Sequence, residues 1–299
     1  MLAPGRRAES GAPAGPVKSR NTGCARVIPD DEEGFQALTR RVSREAGLSL
    51  DAYKDKCLRR RLLVRMRACS VHTYAEYMGV LDQKPEEWEK LKDALTINVT
   101  RFYRNPETWD RLHTDLLPGL LQARNGRLAA WSAGCSSGEE AYTMAMLCAE
   151  TVAAAGHPAW AERVRITATD IDRGSLERAE AGLYPQAAFL EAPEWITQKY
   201  CTRDGESWQV SAAVRRMVTV RKLDLTRELI PTAAYDLIFC RNVVIYFDRP
   251  MQERLFAQFA EALLPGGILV LGKVETLLGI ARERLTLVDA RERIFRRAA

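Results

Sequence analysis

The residues with the clearest chemical potential lie between Trp131 and Tyr142, in the order W-S-A-G-C-S-S-G-E-E-A-Y. An apolar run from Leu128 to Trp131 leads in, and an Ala/Met/Leu-rich segment from Ala141 to Ala149 leads out. That is the pattern of a buried strand, a glycine-bearing turn and a helix. Gly134 and Gly138 allow a tight turn and a close approach of a ligand to the main chain. The turn ends at a helix N-terminus, where unpaired N–H groups face outward. Its G-x-x-x-G spacing is not the dinucleotide pattern G-x-G-x-x-G, and no Lys-Ser/Thr pair follows the second glycine as in a P-loop. Glu139 and Glu140 stand at the helix start, where acid suits a cationic ligand better than a phosphate. S-adenosylmethionine, with an ammonium, a sulfonium and no phosphate, is such a ligand.

The remaining candidates fall at the ends of apolar runs. Asp170 closes Val164–Thr169, Asp224 follows Met217–Val220, and the segment Arg241–Phe247 follows Tyr235–Cys240. A carboxylate at the end of a strand can accept both hydroxyls of a ribose, or can cap the next helix. Leu128–Ala133 and Ile268–Leu271 complete five strands, alternating with helices over Ala141–Ala155, Ser175–Ala181 and Pro250–Leu264. Such alternation predicts a parallel sheet with helices on both faces, and ligands then sit outside the carboxyl ends of the strands. Leu285–Val288 and Ile294–Arg296 are spaced as a hairpin closing one edge. The interval from Tyr184 to Arg216 is too long for a simple crossover and predicts an inserted β subdomain at about 185–216, with Arg203–Glu206 as a hairpin turn.

Upstream of this α/β unit (127–299) the pattern is helical. Residues 1–29, rich in Gly, Pro, Ala and Arg, predict a disordered tail. Residues 30–95 read as a small all-helical domain, and 96–126 as a linker and a helix over Trp109–Leu121. The second helix of the small domain, roughly Ala52–Cys69, carries seven basic residues against one acid between Lys54 and Arg67. Leu58, Leu62, Met66 and Cys69 share one face, and Lys56, Arg60 and Arg67 the opposite one. Charge of one sign repels itself, which predicts a partner surface for an acidic helical protein, with nucleic acid the lesser option.

Whole-chain properties narrow the field further. The chain has 299 residues, a net charge of +5 and a hydrophobic content of 46%, so a two-domain globular protein is expected and a whole-surface nucleic-acid binder is not. Seven cysteines without a C-x-x-C pair give no metal-site spacing and fit a reducing compartment. No apolar run reaches the roughly 18–20 residues of a membrane span, and no hydrophobic segment follows Arg6 and Arg7 as in a secretory signal. A cytoplasmic protein is expected.

Five segments together carry a resemblance: L-T-I-N-V-T-R-F-Y-R, W-S-A-G-C-S-S-G-E-E, A-T-D-I-D, C-R-N-V-V-I-Y-F-D and L-P-G-G-I-L-V-L-G. From about Phe35 to Phe295 the chain resembles the chemotaxis-receptor glutamate methyltransferase family (CheR). The resemblance implies a Rossmann-like S-adenosylmethionine methyltransferase domain with a small N-terminal helical domain and a small β insertion. It further implies esterification of glutamates on the helical cytoplasmic bundle of chemoreceptors, by what we expect to be a monomer. Asn98, Thr100, Arg104, Gly134, Glu140, Asp170, Asp224, Leu225, Asn242 and Val243 would then line the cofactor site: Glu140 at the methionine part, Asp170 at the ribose, Asp224 and Leu225 by the adenine. Arg104 and Tyr246 would stand nearest the transferred methyl, and the basic helix, through Lys56, Arg59, Arg60 and Arg67, would face the receptor. The chain departs from the family pattern at Ala141 (often proline), Asp224 (often asparagine) and Lys273-Val274 (usually His-Ser), with Glu275 kept. Other readings are a methyltransferase acting on another protein or on nucleic acid, whose usual N/D-P-P-Y/F motif is absent, and a non-catalytic cofactor-binding regulator.

Overall fold

The computed structural model describes residues 31–96 and 98–298; the expected tail at 1–29 lies outside them. The chain starts with four helices, α1 (Glu32–Ala46), α2 (Asp55–Ala68), α3 (Tyr74–Gln83) and α4 (Pro85–Leu95). Their ends are chemically marked. The Asp31 carboxylate accepts the Gly34 N–H at the start of α1, Thr73 and Glu76 form a reciprocal capping box on α3, and Pro85 opens α4. Phe35, Leu38, Leu62, Met66, Tyr74 and Tyr77 pack into one core between them. Helix α2 begins at Asp55 rather than Ala52, because Leu50–Ala52 form a single 3-10 turn and Tyr53 is extended. That extended residue bridges to Phe247, nearly two hundred positions away.

Two short helices follow, α5 (Pro106–Arg111) and α6 (Leu117–Ala123), joined by a π-helical turn over Leu112–Leu116. The sequence predicts one continuous helix here. Pro118 has no N–H to give to Thr114, so the ladder shifts and the Leu117 N–H reaches back to Leu112 instead.

The α/β unit then runs β1 (Leu128–Ala133), α7 (Glu139–Ala154), β2 (Val164–Asp170) and α8 (Arg173–Ala181). Next come β3 (Leu183–Pro185), α9 (Glu194–Tyr200), β4 (Cys201–Asp204), β5 (Ser207–Val210) and α10 (Ala212–Arg215). It closes with β6 (Val218–Lys222), β7 (Tyr235–Cys240), α11 (Arg249–Ala262), β8 (Leu263–Leu271), α12 (Ala281–Arg284), β9 (Leu285–Asp289) and β10 (Ile294–Arg297). Seven strands form one sheet in the order β6-β2-β1-β7-β8-β10-β9. The first five are parallel and the terminal hairpin is antiparallel at one edge. Strands β3, β5 and β4 make a separate three-stranded antiparallel sheet. Two cores cover the faces of the large sheet, one around Trp109, Met144 and Phe239, the other around Trp131, Phe256 and Phe259. The strand order reverses direction between β1 and β7, which places the topological switch beside the turn after β1.

Candidate active site

At that switch the turn Gly134–Gly138 folds over the sheet. Gly134 has φ +79°, and a Cβ there would lie 2.4 Å from Val243 Cγ2, so only glycine permits this approach. The Gly134 and Cys135 N–H groups both donate to the Thr169 carbonyl, which ties the turn to β2. Asp170, at the end of β2, accepts the Ser136 N–H at 2.8 Å and the Asp172 N–H at 3.0 Å. The cap reading of that site belongs to the neighbouring acid: Asp172 caps α8 by accepting from Ser175 and also accepts from the Asn98 side chain at 2.7 Å.

Two contiguous clefts meet over Gly134, Asn242 and Val243. The first is lined by Tyr53, Asn98, Asp170, Asp224, Leu225 and Tyr246, among others. The second takes in Thr100, Arg104, Ser136, Glu140 and Arg241. All ten residues that the resemblance implies for cofactor binding line one or both clefts, with Arg104 on the second and Tyr246 on the first. Helix α7 brings Glu140, but not Glu139, to the cleft. Glu139 is turned into the protein and accepts from the Ser137 hydroxyl. Asp224 spends one carboxylate oxygen on the N–H and hydroxyl of Thr226, and the other lies 3.7 Å from the Arg227 guanidinium.

The electrostatics suit a ligand that brings its own positive charge and donors. Burial pushes the Glu140 carboxyl up, opposed by Arg241, whose guanidinium lies 3.5 Å away, and by the Ser132 hydroxyl. Burial likewise pushes Asp170 up, against its backbone donors, Asp172 and Ser136 first. Buried carboxylates not fully matched by protein donors gain from a ligand that supplies an ammonium at one end and ribose hydroxyls at the other. The Ser136 hydroxyl is buried and without a partner among the described residues, and Ser136 lines the second cleft. These residues fit S-adenosylmethionine along its length.

Of the seven basic residues in and before α2, four are held within the protein, the first being Lys54, whose Nζ donates to the Ile245 carbonyl at 2.9 Å. Arg59 pairs with Glu32 and lies over the Phe35 ring at 3.7 Å, Arg65 is bidentate to Glu87, and Arg61 donates to the Ala94 carbonyl. Arg59 is thus directed at α1, not outward with Lys56, Arg60 and Arg67, which are exposed together. The missing neutralisation of the basic helix comes in part from Glu32 and Glu87. Arg61, which helical-wheel reasoning left out, lies over the Tyr246 ring at 5.1 Å.

Comparison with known proteins decides the family. The SAM-binding domain model of CheR methyltransferase matches residues 98–294, and its all-alpha domain model matches residues 33–96. The chain belongs to the CheR methyltransferase family. It is 34% identical to a chemotaxis protein methyltransferase of Listeria monocytogenes, over 85% of this chain and 94% of that one. It is also 34% identical to chemotaxis protein methyltransferase 2 of Pseudomonas aeruginosa, over 82% and 87% of the two chains. Against the Escherichia coli chemotaxis protein methyltransferase the identity is 30%, covering 85% and 87%. This CheR-family chain is a methyltransferase that uses S-adenosylmethionine.

Several residues at the site escaped the sequence. Tyr53 and Phe247 meet edge to face at 5.0 Å on the wall of the first cleft. Arg241, stacked on Trp109, grips the Asn105 side chain at 2.6 Å and the Arg104 carbonyl at 3.1 Å, so it holds the linker onto the sheet. These contacts join segments more than a hundred residues apart, and only the Cys-Arg-Asn motif hinted at one of them.

Proposed function

We propose that this chain transfers the methyl group of S-adenosylmethionine to glutamate side chains on the cytoplasmic helical bundle of methyl-accepting chemoreceptors, forming methyl esters. The observation that carries the reading is the path from surface to site. The exposed cations Lys56, Arg60 and Arg67 stand on the same helix whose Arg61 covers the ring of Tyr246 at the cleft. An acidic helix docked on that face brings its carboxylates to the cleft mouth. The names of the relatives support chemotaxis as the setting. The protein acts in the cytoplasm, as a monomer, and does not take nucleic acid as a substrate. Among the described residues no helix is long and apolar enough to cross a membrane.

A glutamate side chain, with an ordinary pKa of about 4.3, arrives ionised at neutral pH and needs no general base. When bound, S-adenosylmethionine supplies an electrophilic methyl carbon, and the carboxylate oxygen bonds to it as the carbon–sulfur bond breaks, leaving a methyl ester and a neutral thioether. Asp170 holds the ribose, Glu140 the ammonium, and Asp224 with Leu225 borders the adenine. Asn98, Thr100, Asn242 and Val243 close the cleft around them. Arg104, fixed through its bond to the Val99 carbonyl at 2.8 Å, orients the incoming carboxylate. The Tyr246 hydroxyl donates to the oxygen that does not react. Opposite charges are partly neutralised on the way to the transition state, so a dry cleft favours the step provided the geometry is in line.

The test is incubation with methyl-labelled S-adenosylmethionine and receptor cytoplasmic fragments, followed by mild base. Release of volatile methanol is expected; base-stable label on amines or nucleic acid overturns the reading. The docking surface has its own prediction. Arg60→Glu with Arg67→Glu should weaken receptor-fragment binding about tenfold at low salt, measured by fluorescence anisotropy, with the gap to the parent closing at high salt. Equal affinities at low salt remove this face from recognition.

A further inference from the structure

Glu275 lies in the loop after β8, is 3% exposed, and has no part in the chemistry above. Its Oε2 accepts the N–H groups of Gly272 at 2.6 Å and Asn242 at 3.1 Å. Its Oε1 accepts those of Val243 at 3.0 Å and Ile245 at 3.3 Å. Among the described residues its charge is met by backbone dipoles and not by an ion pair. Three of the four donors belong to the turn that carries Asn242, Val243 and Tyr246.

That turn needs holding. Asn242 sits at φ +61°, in the left-handed region that asparagine tolerates better than most non-glycine residues but still at a cost. Val243 must stay packed beneath Gly134, where there is no spare room. Gly272 completes the seat, because a Cβ there would stand 2.8 Å from Glu275 Oε2 and 2.9 Å from the Asn242 nitrogen. A neutral glutamine has the same shape but turns an NH2 group toward one pair of these donors, whichever way it is placed.

We infer that Glu275 is a positioning residue for methyl transfer: its carboxylate fixes the Asn242–Tyr246 turn in the one geometry that serves both the cofactor and Tyr246. The inference rests on the cofactor site described above and explains why both ends of that site depend on one buried anion.

The test uses the purified full-length chain with Glu275→Gln and Glu275→Asp. S-adenosylhomocysteine affinity is measured by calorimetry, kcat on a receptor fragment at saturating cofactor, and thermal midpoint by calorimetric scan. Two orphaned donors predict a loss of about tenfold or more in affinity and a similar loss in kcat for the glutamine variant. The aspartate variant, which keeps the charge, should recover most of both. A glutamine variant within twofold of the parent in affinity and kcat overturns the inference, whatever its thermal midpoint, since Glu275 then only supports the fold. Should the glutamine variant fail to fold, Gly272→Ala carries the test. The same joint loss is expected of it, and unchanged affinity and kcat overturn the inference. The affinity measurement does not involve the methyl acceptor. An error in the receptor assignment would show as a parent chain that binds S-adenosylhomocysteine but leaves the fragment unmodified.

Discussion

Asp170→Ala is expected to weaken S-adenosylhomocysteine binding by about 100-fold, with kcat at saturating cofactor reduced far less. A carboxylate that accepts two hydroxyls makes charge-assisted hydrogen bonds of about 1.5–3 kcal/mol each, and partial replacement by water leaves a net loss near the lower value for the pair. The same side chain also receives the Ser136 and Asp172 N–H groups, so its removal loosens the turn over Gly134 as well. Asp170→Asn separates the two effects, because an amide keeps one acceptor for the backbone and loses the charge. Its affinity should fall between the parent and the alanine variant in titration calorimetry. Parent-like affinity in Asp170→Ala would take Asp170 out of ribose recognition.

The second large effect belongs to the reacting end. Arg104→Ala should lower kcat by about 100-fold, and Tyr246→Phe by about tenfold or more, each with a much smaller change in S-adenosylhomocysteine affinity. Arg104 is held by Val99 behind it and by its own carbonyl, which accepts from Arg241 and from the Trp109 indole. Its guanidinium is therefore aimed before any substrate arrives. Burial pushes the Tyr246 hydroxyl up, opposed by the cation of Arg61 over the ring, so it stays protonated and able to donate across the neutral range. Single-turnover methyl transfer measures both variants without interference from product release. Unchanged single-turnover rates in both would remove them from the chemistry.

Much of this site was legible because its parts are local. The turn after β1 declares itself through two glycines at fixed spacing, and both adopt positive φ. Asp170 and Asp224 stand at strand ends that an apolar pattern marks unaided. What the sequence hid was of two kinds. Arg59 has the composition of a docking residue, but Glu32 and Phe35 on a different helix claim it, and helical periodicity carries no information about neighbours. Glu139 and Glu140 look alike in sequence, yet one residue of rotation about α7 sends the first into the interior with Ser137 and the second to the cleft. The π-helical turn before α6 follows from Pro118, which was visible, acting on a ladder whose response was not. Tyr53, Arg61, Arg241 and Glu275 matter only through contacts that the fold creates.

The bridge between Tyr53 and Phe247 gives the two halves of the molecule a shared lever. On either side of it the Lys54 N–H donates to the Tyr246 carbonyl and the Asp248 N–H to the Ala52 carbonyl, so the strap leading into α2 is stitched to the segment that bears Tyr246. A partner pressing on the exposed cations of α2 pushes against the same rod. On the docking face proposed above, binding and alignment of Tyr246 would then be one mechanical event, and a partner that grips the helix in the wrong register would misalign the tyrosine while still being bound.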